Sequence, residues 1–189
     1  MDTNRLEAFS DGVIAILITI MVLDLHSPRG TDWAALRAMC PALTSYIVSF
    51  VFLGIYWSNH HHMLQLVKSV NGAILWANLH LLFWLSLVPF VTGWVAAEYR
   101  APLPTAVYGV ALLGSAIAYT ILQETLIASQ GAASPLRAAV GSDVKGKISG
   151  LLYVAAIPLA FVHPAIADAI YVAVAITWLV PDRRIERAV

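Results

Sequence analysis

Residues 5–24 read RLEAFSDGVIAILITIMVLD, and this stretch decides the fold class. A polar turn that holds Ser10 and Asp11 leads into an apolar run over 13–23, which ends at Asp24. The two aspartates lie about 20 Å apart along a helix that rises 1.5 Å per residue. A run of this length and composition is typical of a helix that crosses the hydrocarbon of a bilayer.

The composition of the whole chain agrees with a membrane protein. Of its 189 residues, 60% are hydrophobic and 12% are charged, and the mean hydropathy is +0.78. Soluble domains average about 45–50% apolar and about 25% charged residues, so a water-soluble globule is excluded. The 11 basic residues balance the 11 acidic ones. The chain therefore lacks the excess positive charge that holds a phosphate backbone, and we expect no nucleic-acid partner.

Hydropathy, proline, glycine and charge clusters divide the chain into six apolar spans. The predicted spans are 5–25, 41–62, 70–95, 103–128, 147–163 and 165–181. Pro164 suits the first turn of a new helix, so the last two spans should form a tight hairpin. The connection over 129–146 is rich in small and polar residues and is expected to be a flexible loop. We therefore expect an all-α membrane protein in which residues 1–189 form one six-helix domain.

Basic residues in short loops predict the orientation of the spans. Eight of them fall on the side of the two termini, namely Arg5, Lys68, Arg137, Lys145, Lys147, Arg183, Arg184 and Arg187. Both termini should therefore be cytoplasmic, in a multi-pass protein of the cell membrane. The acidic residues around the first run are unlike a cleavable secretory signal, so the first helix is expected to be retained.

One face of the predicted first helix is aliphatic. At 100° per residue, one stripe contains Gly12, Ile16, Thr19, Ile20 and Leu23. Ser10 and Asp11 point more than a quarter turn away from it. Periodicity alone favours a stripe that faces lipid or the protein core. The functional alternative is a hydrophobic constriction, which gates a water-filled path by dewetting.

The opposite side of the first helix predicts a polar seam. Asp11 lies at membrane depth, where an unpaired acid costs about 2.5–3.5 kcal/mol, so it needs a partner within the protein. The candidates are Arg5, His60, His61 and Asn78. The adjacent histidines 60–62 point about 100° apart on a helix and have no neighbouring cysteine or carboxylate in sequence, so we expect no metal site. One or two of them should instead hydrogen-bond the Ser10 and Asp11 seam and make conduction sensitive to pH.

Two further carboxylates fall inside or near predicted spans. Glu124 and Asp168 are functional candidates by default, because acids within a membrane are rare. Solvation at the interface, or a hydrogen bond to Tyr119, Ser149 or Thr177, is the interpretation we favour for both.

The first three spans resemble a known family. The stretch Arg5-Leu6-Glu7-Ala8-Phe9-Ser10-Asp11-Gly12, followed by VIAI, is similar to the first-helix signature of the transmembrane protein 175 family of potassium channels. Tyr56-Trp57 with His60 and His61 resembles a companion motif of that family, as does the segment from Asn78 to Phe90. The chain also lacks the Thr-Val-Gly-Tyr-Gly filter of ordinary potassium channels, as members of this family do.

The resemblance implies a homotetramer of six-helix subunits whose first helices line a central pore. It places the constriction at Ile16, with Ile20 or Thr19, and at Leu23. Phe9 and Trp57 would join the residues of the structural polar seam. Asp24 would lie at the outer mouth, where it concentrates cations, or it would cap or pair at the helix end.

The expected function is that of a potassium-permeable channel without enzymatic activity. A ring of aliphatic side chains offers no oxygen to replace a hydration shell, so selectivity for potassium over sodium should be modest. No cofactor or metal is expected, and the partners are other copies of the chain, the lipid bilayer and monovalent cations. The alternative is a secondary cation or proton transporter, which would favour paired broken helices. Pro89 and Pro158 do interrupt spans, but at unmatched positions.

Overall fold

The computed structural model describes residues 3–67, 69–131 and 134–179. Within these ranges the chain forms nine α-helices and no β-strand. The helices are α1 (Thr3–Leu23), α2 (Trp33–Ala38), α3 (Cys40–Gln65), α4 (Gly72–Ser86), α5 (Val88–Ala97), α6 (Pro102–Gln130), α7 (Pro135–Val140), α8 (Val144–Val162) and α9 (Pro164–Leu179). Four basic residues that predicted the orientation lie outside the described residues: Lys68, Arg183, Arg184 and Arg187.

Among the described residues, five segments are long and apolar enough to cross a membrane. They are α1, α3, the combined segment Gly72–Ala97, α6 and α8, and they correspond to the first five predicted spans. The sixth predicted span corresponds to α9, an apolar helix of 16 residues within the described part of the chain. The end predicted for that span, residue 181, lies outside the described residues.

The third predicted span consists of two helices. Pro89 has no N–H to donate, and its ring would clash with the carbonyl of Leu85 in a continuous helix. The chain instead ends α4 at Ser86 and begins α5 at Val88. The span predicted over 70–95 is therefore present as two helices, and Pro89 interrupts it as the sequence indicated. Pro158, in contrast, lies inside α8 without ending it.

The predicted flexible loop contains a helix. Pro135 occupies the first turn of α7, and the Ser134 side chain accepts a hydrogen bond from the Arg137 N–H, as an N-cap does. Leu136 is fully buried and Val140 is nearly so, both in the core between α1, α3, α4 and α6. The prediction for this connection is wrong over 135–140, because these apolar side chains fix the segment against the helical bundle.

The longest helix, α6, lies at the centre of the packing and contacts α4, α5, α8 and α9. Two of its glycines allow close approach, since a Cβ at Gly109 would overlap the Tyr171 hydroxyl and a Cβ at Gly114 would overlap the Trp84 ring. The predicted hairpin of the last two spans is present. His163 alone separates α8 from α9, and the two helices pack against each other.

Candidate functional site

Helix α1 has one face in the subunit core and one face on the subunit surface. Its buried face consists of Leu6, Ser10, Ile14, Leu17 and Met21, which pack towards α3, α4 and α5. The stripe predicted from the sequence lies on the opposite side and is exposed along its length. Ile16 is 57% exposed, Ile20 is 43% exposed and Leu23 is 76% exposed. An apolar surface of this kind in a membrane protein faces lipid, another subunit or a conduit.

Thr19 lies in the middle of the exposed stripe. Its hydroxyl is 3.0 Å from the carbonyl oxygens of both Ala15 and Ile16, to which it donates. The hydroxyl proton is therefore held by the helix backbone, as is common for threonine within helices. The lone pairs of Oγ1 remain free to accept, so the stripe contains one polar oxygen among its aliphatic side chains.

A buried hydrogen-bond network joins the core face of α1 to α3 and α4. Ser10 donates to the Leu6 carbonyl at 2.8 Å, and the Asn78 amide donates to Ser10 Oγ at 2.9 Å. His60 Nε2 lies 2.7 Å from Asn78 Oδ1. Ser10, Asn78 and His60 are each fully buried. We call these three residues the seam network.

Proton counting fixes the direction of every bond in the seam network. The single Ser10 proton goes to Leu6, so Ser10 Oγ can only accept, and the Asn78 group facing it must be the amide nitrogen. Asn78 Oδ1 therefore faces His60 and requires a proton on Nε2. His60 Nδ1 is buried and has no hydrogen-bond partner in the described part of the chain. A neutral ring that carries its proton on Nε2 satisfies this arrangement, whereas a second proton on Nδ1 would be a buried donor without an acceptor.

The partner of Asp11 is not one of the four candidates named for it but Trp57, which the family resemblance placed in the polar seam. The Trp57 indole N–H donates to Asp11 Oδ1 at 3.0 Å. One turn along α3, His61 stacks on the Trp57 ring with a centroid distance of 6.0 Å and places Nδ1 2.5 Å from the Glu7 carboxylate. The prediction that Arg5, His60, His61 or Asn78 pairs with Asp11 is therefore wrong.

Glu7 was missing from the predicted seam, although its spacing carried a signal. Glu7 and Asp11 are four residues apart on α1, and Trp57 and His61 are four residues apart on α3. Residues at this spacing share a helix face. Helices α1 and α3 therefore form two polar contacts one turn apart, Asp11 with Trp57 and Glu7 with His61. Within the described residues Arg5 forms no ion pair, and both Arg5 and Phe9 are exposed, so neither lies in the seam where we predicted it.

The opposite end of α1 leads to Asp24, which is exposed. Its backbone carbonyl accepts a hydrogen bond from His26 Nδ1 at 2.9 Å. A cavity of about 740 Å³ opens beside it, between α1, α3 and α5, and Phe90 and Trp94 are among its lining residues. The structure thus places Asp24 next to an open cavity at the end of the exposed stripe.

The other two singled-out carboxylates lie in different surroundings. Glu124 is exposed on α6 and lies 3.7 Å from the exposed Arg137 guanidinium of α7. Its position relative to the membrane interface stays a prediction. Asp168 is half-buried on α9 and lines a separate cavity. Ser149, one of the proposed hydrogen-bond partners, instead accepts from the Trp178 indole N–H at 2.9 Å.

Comparison with known proteins identifies the family. The family model described as "Endosomal/lysosomal potassium channel TMEM175" matches residues 5–89. A protein named as a potassium channel in Chryseobacterium sp. (strain P1-3) is 53% identical over 188 residues, which cover 100% of this chain and 98% of that protein. The chain belongs to the TMEM175 family. The resemblance found in the sequence is thereby confirmed, and the family is one of ion channels rather than a class of enzymes.

Two further similar proteins support this assignment. A protein named as a potassium channel in Streptomyces collinus is 37% identical over 129 residues, 64% of this chain and 63% of that protein. The crystal structure of a lysosomal potassium-selective channel TMEM175 homolog from Chamaesiphon minutus superposes with a TM-score of 0.83 at 27% identity, and covers 95% of this chain and 97% of that chain. The all-helical fold is therefore that of a TMEM175 channel. The segment 5–89 that matches the family model contains all of α1 except its first two residues, together with the whole seam network.

Proposed function

We propose that the chain is one subunit of a homotetrameric, potassium-permeable cation channel whose central pore is lined by the exposed face of α1. One observation supports this more than any other. The stripe through Ile16, Ile20 and Leu23 is exposed on a helix whose other face is buried and fixed by the seam network. Closed cyclic assemblies are the default for identical subunits. Four copies arranged about an axis would bring four such stripes together.

Ile16 forms the principal constriction in this proposal. Ile16, Ile20 and Leu23 follow one another at about one turn, or roughly 5 Å, along the helix axis. Rings of four such side chains are apolar and narrow, and a path lined in this way closes by expelling water. Permeation then depends on how easily an ion loses its hydration shell, which favours potassium modestly over sodium.

Oxygen atoms at two levels assist the cation. Thr19 Oγ1 keeps its lone pairs free, because its proton is held by the helix backbone. Asp24 adds negative charge at the proposed outer mouth and raises the local concentration of cations, an effect that salt screens. Neither group requires a cofactor or a resident metal.

The remaining parts of the proposal concern the membrane. Residues 1–189 form one transmembrane domain in the cell membrane, α9 is the sixth crossing helix, and both termini are cytoplasmic. The near-full coverage of the Chamaesiphon minutus structure and the apolar character of α9 support this arrangement. The Ser10, Asp11, Trp57, His60, His61 and Asn78 side chains act as structural residues that hold α1 in place.

Recordings from purified protein in planar bilayers test the proposal. Ile16→Ala widens the proposed constriction and should raise the unitary conductance severalfold or reduce the preference for potassium in bi-ionic solutions. Val22→Ala is the matched control, because Val22 is also an exposed aliphatic residue of α1 but lies about 100° from the centre of the stripe. Equal effects of the two changes would contradict the pore line. Saturable flux without unitary currents would favour the transporter instead, and a mass other than four subunits in lipid nanodiscs would refute the tetramer.

A further inference from the structure

A second cavity lies at the end of the bundle where α3 and α9 begin. Its volume is about 140 Å³, which is several times the roughly 30 Å³ that one water occupies in the liquid. The polar residues that line it are Thr44, Ser45, Tyr99, Tyr108, Asp168 and Tyr171. It is separate from the exposed stripe of α1, and the proposed pore makes no use of it.

Asp168 supplies the one carboxylate of this cavity and forms no ion pair within residues 3–67, 69–131 and 134–179. Arg100 is close in sequence to Tyr99 at the cavity edge, but its guanidinium stacks on the Tyr99 ring, 5.3 Å from the centroid. A half-buried acid on an apolar helix requires a partner of opposite charge or a proton. The described residues supply no positive charge to it.

The Tyr171 hydroxyl cannot donate into the cavity. It donates to the Thr105 carbonyl at 3.2 Å, through the space that Gly109 leaves by having no side chain. The single proton of this hydroxyl is therefore held outside the cavity. The lone pairs of Tyr171 Oη remain available as acceptors.

The Tyr108 hydroxyl is committed in the same way by a chain of buried hydroxyls. Thr92 donates to the Val88 carbonyl at 2.6 Å, so its oxygen must accept the proton of Ser49 at 2.6 Å. Ser49 has then used its proton and must accept from Tyr108 Oη at 2.9 Å. The Tyr108 proton is consequently held by Ser49, and the lone pairs of Oη remain available as acceptors.

We propose that this cavity binds a monovalent alkali cation, with Asp168 as the charged ligand and Tyr108 and Tyr171 as neutral oxygen ligands. This assignment follows from the hydrogen bonds of the lining residues. The Tyr108 and Tyr171 hydroxyls donate their protons elsewhere, so these two oxygens and the Asp168 carboxylate are all acceptors. Thr44 and Ser45 carry rotatable hydroxyls, whose oxygens complete the shell. Hard oxygen ligands suit alkali and alkaline-earth ions. Calcium sites usually contain several carboxylates, and the single charge of Asp168 balances a monovalent ion.

Ion-dependent thermal stability of the purified full-length protein tests the site without measuring current. Tm is followed as potassium chloride replaces N-methyl-D-glucamine chloride at constant ionic strength. An ion at concentration c that binds the native state stabilises it by RT ln(1 + c/Kd), so Tm begins to rise once the potassium concentration approaches Kd. Asp168→Asn should raise at least tenfold the potassium concentration at which Tm begins to rise. Glu124→Gln is the matched control, since it neutralises an exposed carboxylate elsewhere, and it should keep the wild-type concentration dependence.

Thallium diffraction distinguishes this cavity from any ion in the proposed pore. Crystals grown with thallium ions in place of potassium should give an anomalous peak beside Asp168, away from the symmetry axis. Absence of that peak, or a potassium dependence of Tm that is identical in Asp168→Asn, would overturn the proposal. If Asp168→Asn does not fold, Tyr171→Phe removes one ligand oxygen and should weaken the potassium effect severalfold, whereas an unchanged effect would also overturn it. Neither readout depends on the α1 pore, so the two proposals fail separately.

Discussion

Replacing Asn78 with alanine removes the residue that joins α1, α3 and α4 inside the subunit. Two fully buried groups then lose their partners, the His60 Nε2–H donor and one acceptor site of Ser10 Oγ. A buried polar group without a partner costs about 1–3 kcal/mol. The loss at His60 Nε2–H is the larger one here, because Ser10 Oγ still has one hydrogen bond, to the Leu6 carbonyl. We expect Asn78→Ala to lower the free energy of unfolding by about 2–4 kcal/mol.

A double-mutant cycle isolates the Ser10–Asn78 bond from the other effects of Asn78→Ala. Hydrogen bonds between membrane helices average about 0.6 kcal/mol and reach about 1.7 kcal/mol. The complete burial of both residues places this bond at the upper end, so we expect a coupling energy of about 1–1.5 kcal/mol. Equilibrium unfolding in bicelles measures the free energy of unfolding of the wild type, of the single alanine variants at Ser10 and at Asn78, and of the double variant. Thr120→Ala is the control, because Thr120 is exposed and its hydroxyl bonds the carbonyl of Ala116 in its own helix.

A coupling energy near zero would refute the bond directions assigned to the seam network, because each of them depends on Ser10 accepting from Asn78. Equal losses for Asn78→Ala and Thr120→Ala would do the same. If Asn78→Ala lowers the free energy of unfolding strongly but Ser10 and Asn78 show no coupling, the stabilisation comes from packing around residue 78 and not from the hydrogen bond.

Two other changes test the packing of the helices. Gly114→Ala should lower the free energy of unfolding by about 1–3 kcal/mol, because the added methyl would overlap the Trp84 ring between α4 and α6. Gly54→Ala is the control, because a methyl at Gly54 would meet open space, and it should be neutral or stabilising by up to about 1 kcal/mol. Equal losses of the two variants in thermal or chemical unfolding would contradict the close contact between Gly114 and Trp84. Trp57→Phe removes the indole donor to Asp11 at an exposed site and should cost less than about 1 kcal/mol by the same assay. A loss as large as that of Asn78→Ala would mean that this contact belongs to the core.

Helical periodicity alone grouped Ile16 and Ile20 on one face of α1, but it did not decide whether that face is exposed. Ile16 and Ile20 recur at the spacing of one helix face, and the structure leaves both exposed, while Ile14 and Leu17 on the other face are buried. This part of the fold follows from a local rule, because the direction of a side chain on a helix depends on residue spacing and on nothing distant. The family resemblance in the first three spans followed from the same local stretches.

The pairing of polar residues could not be predicted in this way. Whether Asp11 meets Trp57 or a histidine depends on the relative height and rotation of α1 and α3, which the packing of many apolar side chains determines. The sequence offered most of the residues of the seam, but it added Arg5 and Phe9, omitted Glu7 and could not assign the partners. Glu7 had the same periodic signal as Asp11 and was overlooked because it lies in the polar first turns, where solvation is the usual interpretation.

The short helix α7 was predictable from signals that composition concealed. Ser134 followed by Pro135 is a typical helix start, and Leu136, Ala139 and Val140 have the spacing of one helical face. The small and polar residues around them dominate the average composition of residues 129–146, and that average favoured a loop. A local pattern of three apolar residues therefore carried more structural information than the mean composition of the segment.

The seam network also constrains how the proposed pore can open. Rotation of α1 by one residue, about 100°, would carry Ser10 away from Asn78 and move Ile16 off its present face. Such a rotation would leave a fully buried serine and amide without each other, at a cost that the double-mutant cycle measures. If α1 instead moves together with α4 and the His60 segment of α3, every bond of the network is kept. In the proposed tetramer, opening by a joint movement of these three segments is therefore favoured over rotation of α1 alone, and a weakened Ser10–Asn78 bond should make the rotated arrangement easier to reach.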